Sequence, residues 1–255
     1  MKTIAIANFK GGVGKTATAV NLAALLAREG RPTLLIDADP QHNATDFYLP
    51  EFEGITLTDV LTGDCEPVWE DNVSPTNYSF LAMLPADMRL LMLDLRAFLG
   101  GGTDGMDKRL FDFLECAKGD EAYDFCLIDC PPSFTASSVA AIYAADDIII
   151  PTEADLFSIT GLTTLVKQVE SVRRFKPNIR VAGALITKWH NTAACIQGEC
   201  ALRGSAVPVF RQTIRRSDKV TESIFAGQAL QAYSPQSAAG RDYRAFVAEY
   251  LEEVS

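Results

Sequence analysis

The sequence predicts an α/β fold: a mostly parallel, twisted sheet with helices on both faces, built as one domain over residues 1–255. Three observations carry this. Strand-length runs, nearly continuous in apolar residues, recur along the chain, as strands covered on both faces require. Helix-length patterns alternate with them, and a repeated β-then-α order implies parallel strands with crossover helices. Hydrophobic residues make up 48% of the 255, enough for a full core and against a disordered chain.

Taken in order, residues 3–8 read as the first strand and residues 15–29, rich in Ala and Leu, as the first helix. Thr-Leu-Leu-Ile-Asp at 33–37 is a second strand, and 80–84 a third. Helical patterns at 87–98 and 108–118 flank Gly100–Gly101–Gly102–Thr103–Asp104–Gly105, the clearest breaker in the chain and a loop by composition. The strand at 125–129 leads to a small-residue helix at 134–144, then to a strand at 147–151 and a helix at 161–175. Strands at 181–187 and 206–210 and a helix at 239–253 complete the alternation. No repeat, linker or low-complexity segment divides it, and residues 72–77 carry no pattern of their own.

Thirty-three acidic against 23 basic side chains give a net charge of −10, which repels phosphate globally yet leaves room for a local basic patch. No run approaches the roughly 18 consecutive apolar residues of a membrane span, and Met1–Lys2–Thr3–Ile4 lacks the apolar region of a signal peptide. A soluble cytosolic protein is expected. The six cysteines form no C-x-x-C pair, and Cys126 and Cys130 read as small hydrophobes on one strand face. His190, Cys195 and Cys200 have irregular spacing for zinc.

The most informative segment is Asn8–Phe9–Lys10–Gly11–Gly12–Val13–Gly14–Lys15–Thr16, between the first strand and the first helix. Glycines permit tight backbone turns and remove side chains that would block phosphate oxygens. Successive N–H groups at a helix N-terminus then point at an anion. Residues 10–17 (Lys10, Gly11, Gly12, Val13, Gly14, Lys15, Thr16 and Ala17) are the candidate nucleotide cradle. Lys15 is placed to reach the β- and γ-phosphates, and the Thr16 hydroxyl to hold Mg²⁺. The pattern G-x-x-x-x-G-K-[ST] is not met, because Phe9 stands at its first glycine and a second lysine, Lys10, leads the loop.

Residues 10–16 resemble the deviant Walker A loop of the ParA/MinD-type P-loop ATPases. Leu35–Ile36–Asp37–Ala38–Asp39–Pro40–Gln41, continued by Asn43–Ala44–Thr45, resembles their second motif. Residues 123–133, with Ile128–Asp129–Cys130–Pro131–Pro132–Ser133, resemble their Walker B strand and the turn after it. The order of elements extends the likeness over nearly the whole chain, nearest to the short ParA/Soj type without an N-terminal helix-turn-helix. The fold implied is a single-domain P-loop NTPase, with ATP and Mg²⁺ as ligands and ATP hydrolysis as the activity.

Ligands of open parallel sheets bind outside the carboxyl ends of strands, so Asp37, Asp39 and Asp129 can all approach the loop. Asp129 is the candidate for holding a Mg²⁺-bound water. The resemblance gives Asp39 the role of positioning the attacking water. Asp37 supports the metal shell or caps a turn, and both readings stay open. Lys10 and Lys15 would stabilise charge in phosphoryl transfer. In related proteins the leading lysine reaches a partner's phosphates, which implies a homodimer in the ATP-bound state.

The strand ending Leu185–Ile186–Thr187–Lys188–Trp189–His190 lacks the N-K-x-D that reads guanine, with Thr187 for the Asn and His190 for the accepting Asp, so adenine is favoured; Trp189 could stack on a base or simply pack. Arg203, Arg211, Arg215, Arg216 and Lys219 form the sharpest basic contrast. Of these, Arg211, Arg215, Arg216 and Lys219 are the candidates for non-specific DNA contact, the alternative being a solvated helix start. Arg173, Arg174, Lys176 and Arg180 form a second basic set, where cations at a helix C-terminus are the simpler account. The resemblance implies DNA partition of a plasmid or chromosome, a ParB-like centromere-bound activator and association with the nucleoid. A MinD-like positioning ATPase is one alternative, although the acidic end of the C-terminal helix would be repelled by anionic lipid, and no membrane partner is expected. A weakly hydrolysing ATP-dependent scaffold is another. The paired cysteines of iron–sulfur carrier ATPases are missing.

Overall fold

The structure, a computed structural model, describes residues 1–66, 68–99 and 105–254. Seven strands form one sheet: β1 (Lys2–Ile6), β2 (Thr33–Asp37), β3 (Ser74–Pro75), β4 (Leu81–Leu84), β5 (Phe125–Asp129), β6 (Asp147–Glu153) and β7 (Arg180–Thr187). Their spatial order is β3-β4-β2-β5-β1-β6-β7. All pairs are parallel except the short edge pair of β3 with β4. Because β5 lies between β1 and β2, the carboxyl ends of these three strands stand side by side.

Around the sheet lie α1 (Lys15–Arg28), α2 (Asn43–Tyr48), α3 (Leu57–Thr62), α4 (Trp69–Asn72), α5 (Leu90–Phe98) and α6 (Met106–Gly119). Then follow α7 (Ala136–Ala144), α8 (Leu156–Arg173), α9 (Ala193–Arg203), α10 (Asp218–Phe225), α11 (Leu230–Tyr233) and α12 (Ala238–Val254).

Strand parity splits the core into two layers. Ile4, Ile6, Leu35 and Leu127 pack with the apolar faces of α1 and α12. Ala5, Leu34, Ile36, Cys126 and Ile128 pack on the other side with α6, α7 and α8. Each large side chain so buried contributes about 1.5–3 kcal/mol. The same parity places Asp37 and Asp129, two residues beyond Leu35 and Leu127, on the α1 side. The acidic C-terminal helix packs as expected: Tyr243, Phe246, Val247 and Tyr250 are buried, and the Tyr250 hydroxyl donates to Asp147 Oδ2 at 2.8 Å.

Two expectations change. The strand expected at 206–210 is reduced to one isolated bridge, Val209 against Ala184. Pro208 has no N–H to give; the Phe210 amide still donates to Ala184 O at 3.0 Å, but the amides of Arg211 and Gln212 donate to the buried carboxylate of Glu249 at 2.7 and 2.8 Å. Helix starts also shift: the helix expected from 161 begins at Leu156 behind the N-cap Asp155, and the one expected from 134 begins behind Thr135. Residues 72–77, patternless in sequence, include the edge strand β3. Of the glycine loop at 100–105, only Gly105 falls within the described residues, in a left-handed conformation ahead of α6 (φ 78°).

Candidate active site

The loop from Asn8 to Gly14 is held from below by side chains of other strands. Asn8 Nδ2 donates to Pro151 O at 2.7 Å and its Oδ1 accepts the Lys10 amide at 2.9 Å. The Thr187 hydroxyl at the end of β7 donates to Val13 O at 2.7 Å. Gly12 and Gly14 take φ of 75° and 88°, which other residues rarely adopt, and a Cβ on Gly11 or Gly12 would meet nothing within 4 Å. The inner face of the loop is therefore open backbone ending at the N-terminus of α1, the form of an anion cradle.

Lys15, the first residue of α1, is buried, with its ammonium 3.3 Å from Lys10 O. Burial lowers its pKa, opposed by the charges of Asp129, Cys130 and Asp39. Asp37 and Asp129 are register partners on adjacent strands. Asp37 is fully saturated: its Oδ1 accepts the Asp39 amide at 3.0 Å, and its Oδ2 accepts both the amide and the hydroxyl of Thr45 at 2.9 Å. Burial still raises its pKa to about 6, against those hydrogen bonds. Asp129 differs. It is buried, yet neither carboxylate oxygen has a hydrogen-bond partner among the described residues. Burial and then the Asp37 charge push its pKa well up, while the Thr16 hydroxyl and Lys15 pull the other way. Asp39, beyond the end of β2, accepts the Gln41 amide at 2.9 Å and is largely buried.

Three carboxylates against one lysine leave a net negative centre, and an orphaned buried carboxylate faces the first turn of α1. Those are the conditions a divalent cation relieves. Among the described residues no three acidic, His or Cys side chains converge to cage a metal by themselves. That suits Mg²⁺, which keeps several waters and takes the rest of its shell from phosphates. Thr16 and Asp129 fit it; the saturated Asp37 fits as support behind Asp129 and as an anchor for α2.

Lys10 does not turn into its own loop. Its ammonium pairs with Asp155, the N-cap of α8, at 2.6 Å, with the lysine side chain 40% exposed. Beside the loop a cavity of about 430 Å³ opens from Gly14 and Ala17 to Thr187, Lys188, His190 and the segment 214–218, large enough for a nucleoside. Trp189 is directed away to Glu199, its Nε1 donating at 2.7 Å, so it packs.

The basic residues separate into paired and free. Arg211 is 80% exposed and 3.5 Å from both Glu249 and Glu252. Lys219 pairs with Glu222 at 2.6 Å, and Arg215 with Asp242 at 2.7 Å. Arg216 is exposed and has no side-chain partner among the described residues. In the second set, Lys176 donates to Ala144 O and Ala145 O at the end of α7, and Arg180 binds Asp147, which are structural duties.

Sequence reasoning gave no role to Asp155, Thr187 or Asp242, and none to Thr45 beyond its place in the second motif. Asp155 carried a local signal, an Asp three residues before Ser158 ahead of a helical pattern. The other three act through contacts that no local pattern encodes.

Strand, glycine turn, helix and flanking strand-end carboxylates define a phosphate-loop nucleotide-binding protein of the α/β class. Residues 1–181 match the family described as an AAA domain. The chain is 33% identical over 256 residues to the chromosome partitioning protein ParA of Caulobacter vibrioides, covering 98% of this chain and 94% of that one. It is 34% identical over 257 residues to the chromosome-partitioning ATPase Soj of Thermus thermophilus, covering 100% and 97%. A variant of McdA from Cyanothece, solved in complex with ATP, superposes with a TM-score of 0.84 at 27% identity over 99% of this chain and 96% of that one. The chain belongs to the AAA-domain family and, within it, to the ParA/Soj group of P-loop ATPases. No helix among the described residues is long and apolar enough to cross a membrane.

Proposed function

We propose that this chain is a Mg²⁺-dependent ATPase of the DNA-partition type, slow by itself and stimulated by a ParB-like partner. The observation that carries the reading is the register pair Asp37–Asp129 facing Lys15 and Thr16, with both Asp129 oxygens unpartnered among the described residues. In this reading the amides of residues 11–16 and the Lys15 ammonium bind the phosphates of ATP. Thr16 and Asp129 would hold Mg²⁺, which would supply charge neutralisation on the phosphate oxygens. Asp39 orients the attacking water, its carboxylate held by the Gln41 amide. Val13, fully buried, and the cap of strand ends exclude bulk solvent from beneath the phosphates.

The Lys10 ammonium, 40% exposed, pairs with Asp155 on α8 rather than turning to its own loop. A role for Lys10 in a second protomer's site, as in the proposed ATP-dependent homodimer, requires that this pair open. An exposed ion pair is worth about 0–1 kcal/mol, so opening it is cheap. Arg216, with Arg211 and Lys219 nearby, is the surface proposed for non-specific DNA, and a dimer doubles its contacts. Nucleoid association in the cytoplasm follows from that affinity. The MinD-like alternative is weakened because the apolar face of α12 is already buried in the core. DNA retardation with ATP, ADP and no nucleotide, at two salt concentrations, tests the proposal. Retention is expected with ATP alone and to weaken with salt, by a log–log slope of about 0.9 per phosphate neutralised. Retention independent of nucleotide would refute it.

A further inference from the structure

Arg215 stands in the basic segment that sequence reasoning gives to DNA, yet its surroundings are those of a wall. It lines the cavity beside the phosphate loop. Its Nε and Nη2 donate to Asp242 Oδ2 and Oδ1 at 2.9 and 2.7 Å, and its own amide donates to Oδ2 at 2.9 Å. Nη2 also lies 3.4 Å from Ala238 O. Asp242 is only 5% exposed. The next residue of α12, Tyr243, lines the same cavity, and its hydroxyl meets that of Thr18 on α1 at 3.3 Å. Two consecutive residues of α12 thus hold two elements that line the cavity, one the segment carrying Arg215 and the other α1.

A guanidinium locked on a buried carboxylate has lost most of the charge that a DNA phosphate would seek. What it keeps is the Nη1 amine and a flat face, and guanidinium planes stack on aromatic rings. We propose that Arg215 is a base-binding wall of the nucleoside cavity, packing its plane on the nucleobase, and that Asp242 is the positioning residue that locks it there. The inference rests on the nucleotide-site reading above and deepens it, by assigning Arg215 to the base rather than to DNA.

The test is calorimetric titration of the full chain, in Mg²⁺, with a non-hydrolysable ATP analogue and separately with inorganic triphosphate, which has no base. Arg215→Ala should weaken the analogue about 10-fold, equivalent to about 1.4 kcal/mol, and leave triphosphate within about twofold. Arg215→Lys, which keeps the cation but not the plane, should lose as much. Asp242→Asn should lose part of it, and combining it with Arg215→Ala should add nothing further. Where Asp242→Asn does not fold, Arg215→Lys alone carries the test. Analogue affinity unchanged in Arg215→Ala, equal loss of both titrants, or full retention in Arg215→Lys each overturns the proposal. A wild-type chain that takes up neither titrant sinks the nucleotide-site reading and this inference with it, whereas the outcomes above leave that reading standing.

Discussion

Removing the charge of Asp37 should change how the stability of the metal-free protein depends on pH. Asp37 is fully buried, and its pKa is raised from 3.8 to about 6. A carboxyl whose folded pKa exceeds its unfolded one stabilises the fold below the unfolded value, and that stability is lost as pH rises through the folded value. The window is therefore about pH 4 to 6. A shift of about two units at about 1.36 kcal/mol each makes the loss about 3 kcal/mol. Asp37→Asn cannot titrate, so it escapes the loss. It still accepts the Asp39 amide but turns an NH₂ toward the Thr45 amide and hydroxyl, which costs about 1–3 kcal/mol at every pH. Urea denaturation of both proteins from pH 4 to 7.5, without Mg²⁺ or nucleotide, separates the two effects. The difference in unfolding free energy, variant minus wild type, should be negative near pH 4 and rise by about 3 kcal/mol by pH 7.5. Taking the difference also cancels groups that Asp37 does not touch, such as Asp147, whose pKa burial raises but Arg180, Lys2 and Tyr250 lower overall; Asp129, raised in part by the Asp37 charge, relaxes in the variant and shifts the difference the same way. Parallel profiles would refute the claim that the centre carries unrelieved negative charge, and with it the main argument for a divalent cation.

Lys15→Ala should abolish nucleotide binding in the same calorimeter; ordinary affinity would remove Lys15 from the site. Asp39→Ala should still bind ATP but release phosphate about 100-fold more slowly or worse, and it should accumulate dimer on size exclusion. Unchanged turnover would end its water-positioning role. Reversing charge at Arg216 and Lys219 together should eliminate ATP-dependent DNA retention while nucleotide affinity stays normal, and unaltered retention would put the DNA surface elsewhere.

Much of the site was legible in the chain because its signals are short-range. A glycine turn between an apolar strand and a helix, with Lys15 and Thr16 at the helix start, needs only contiguous residues to be recognised. Asp37 and Asp129 were legible as strand ends for the same reason. Which charges are free was not legible. Lys10 and Asp155 are 145 residues apart, and Arg215 and Asp242 are 27 apart on different elements. The strand at 206–210 is only a bridge in the fold because edge pairing depends on where amides find acceptors, and Glu249 on α12 takes the Gln212 amide that would have continued the ladder after Phe210.

By itself, then, the amino-acid order determined the alternating α/β plan, the phosphate loop and the residue types at the strand ends, since periodicity and backbone conformational preference act between near neighbours. Tertiary structure alone decided that β5 lies between β1 and β2, setting Asp129 beside Asp37 with no partner for its oxygens among the described residues, and that Arg215 is tied to Asp242 at the edge of the cavity beside the loop. Hydrogen bonds and ion pairs act over about 3 Å, and only the folded chain brings their distant partners within that reach.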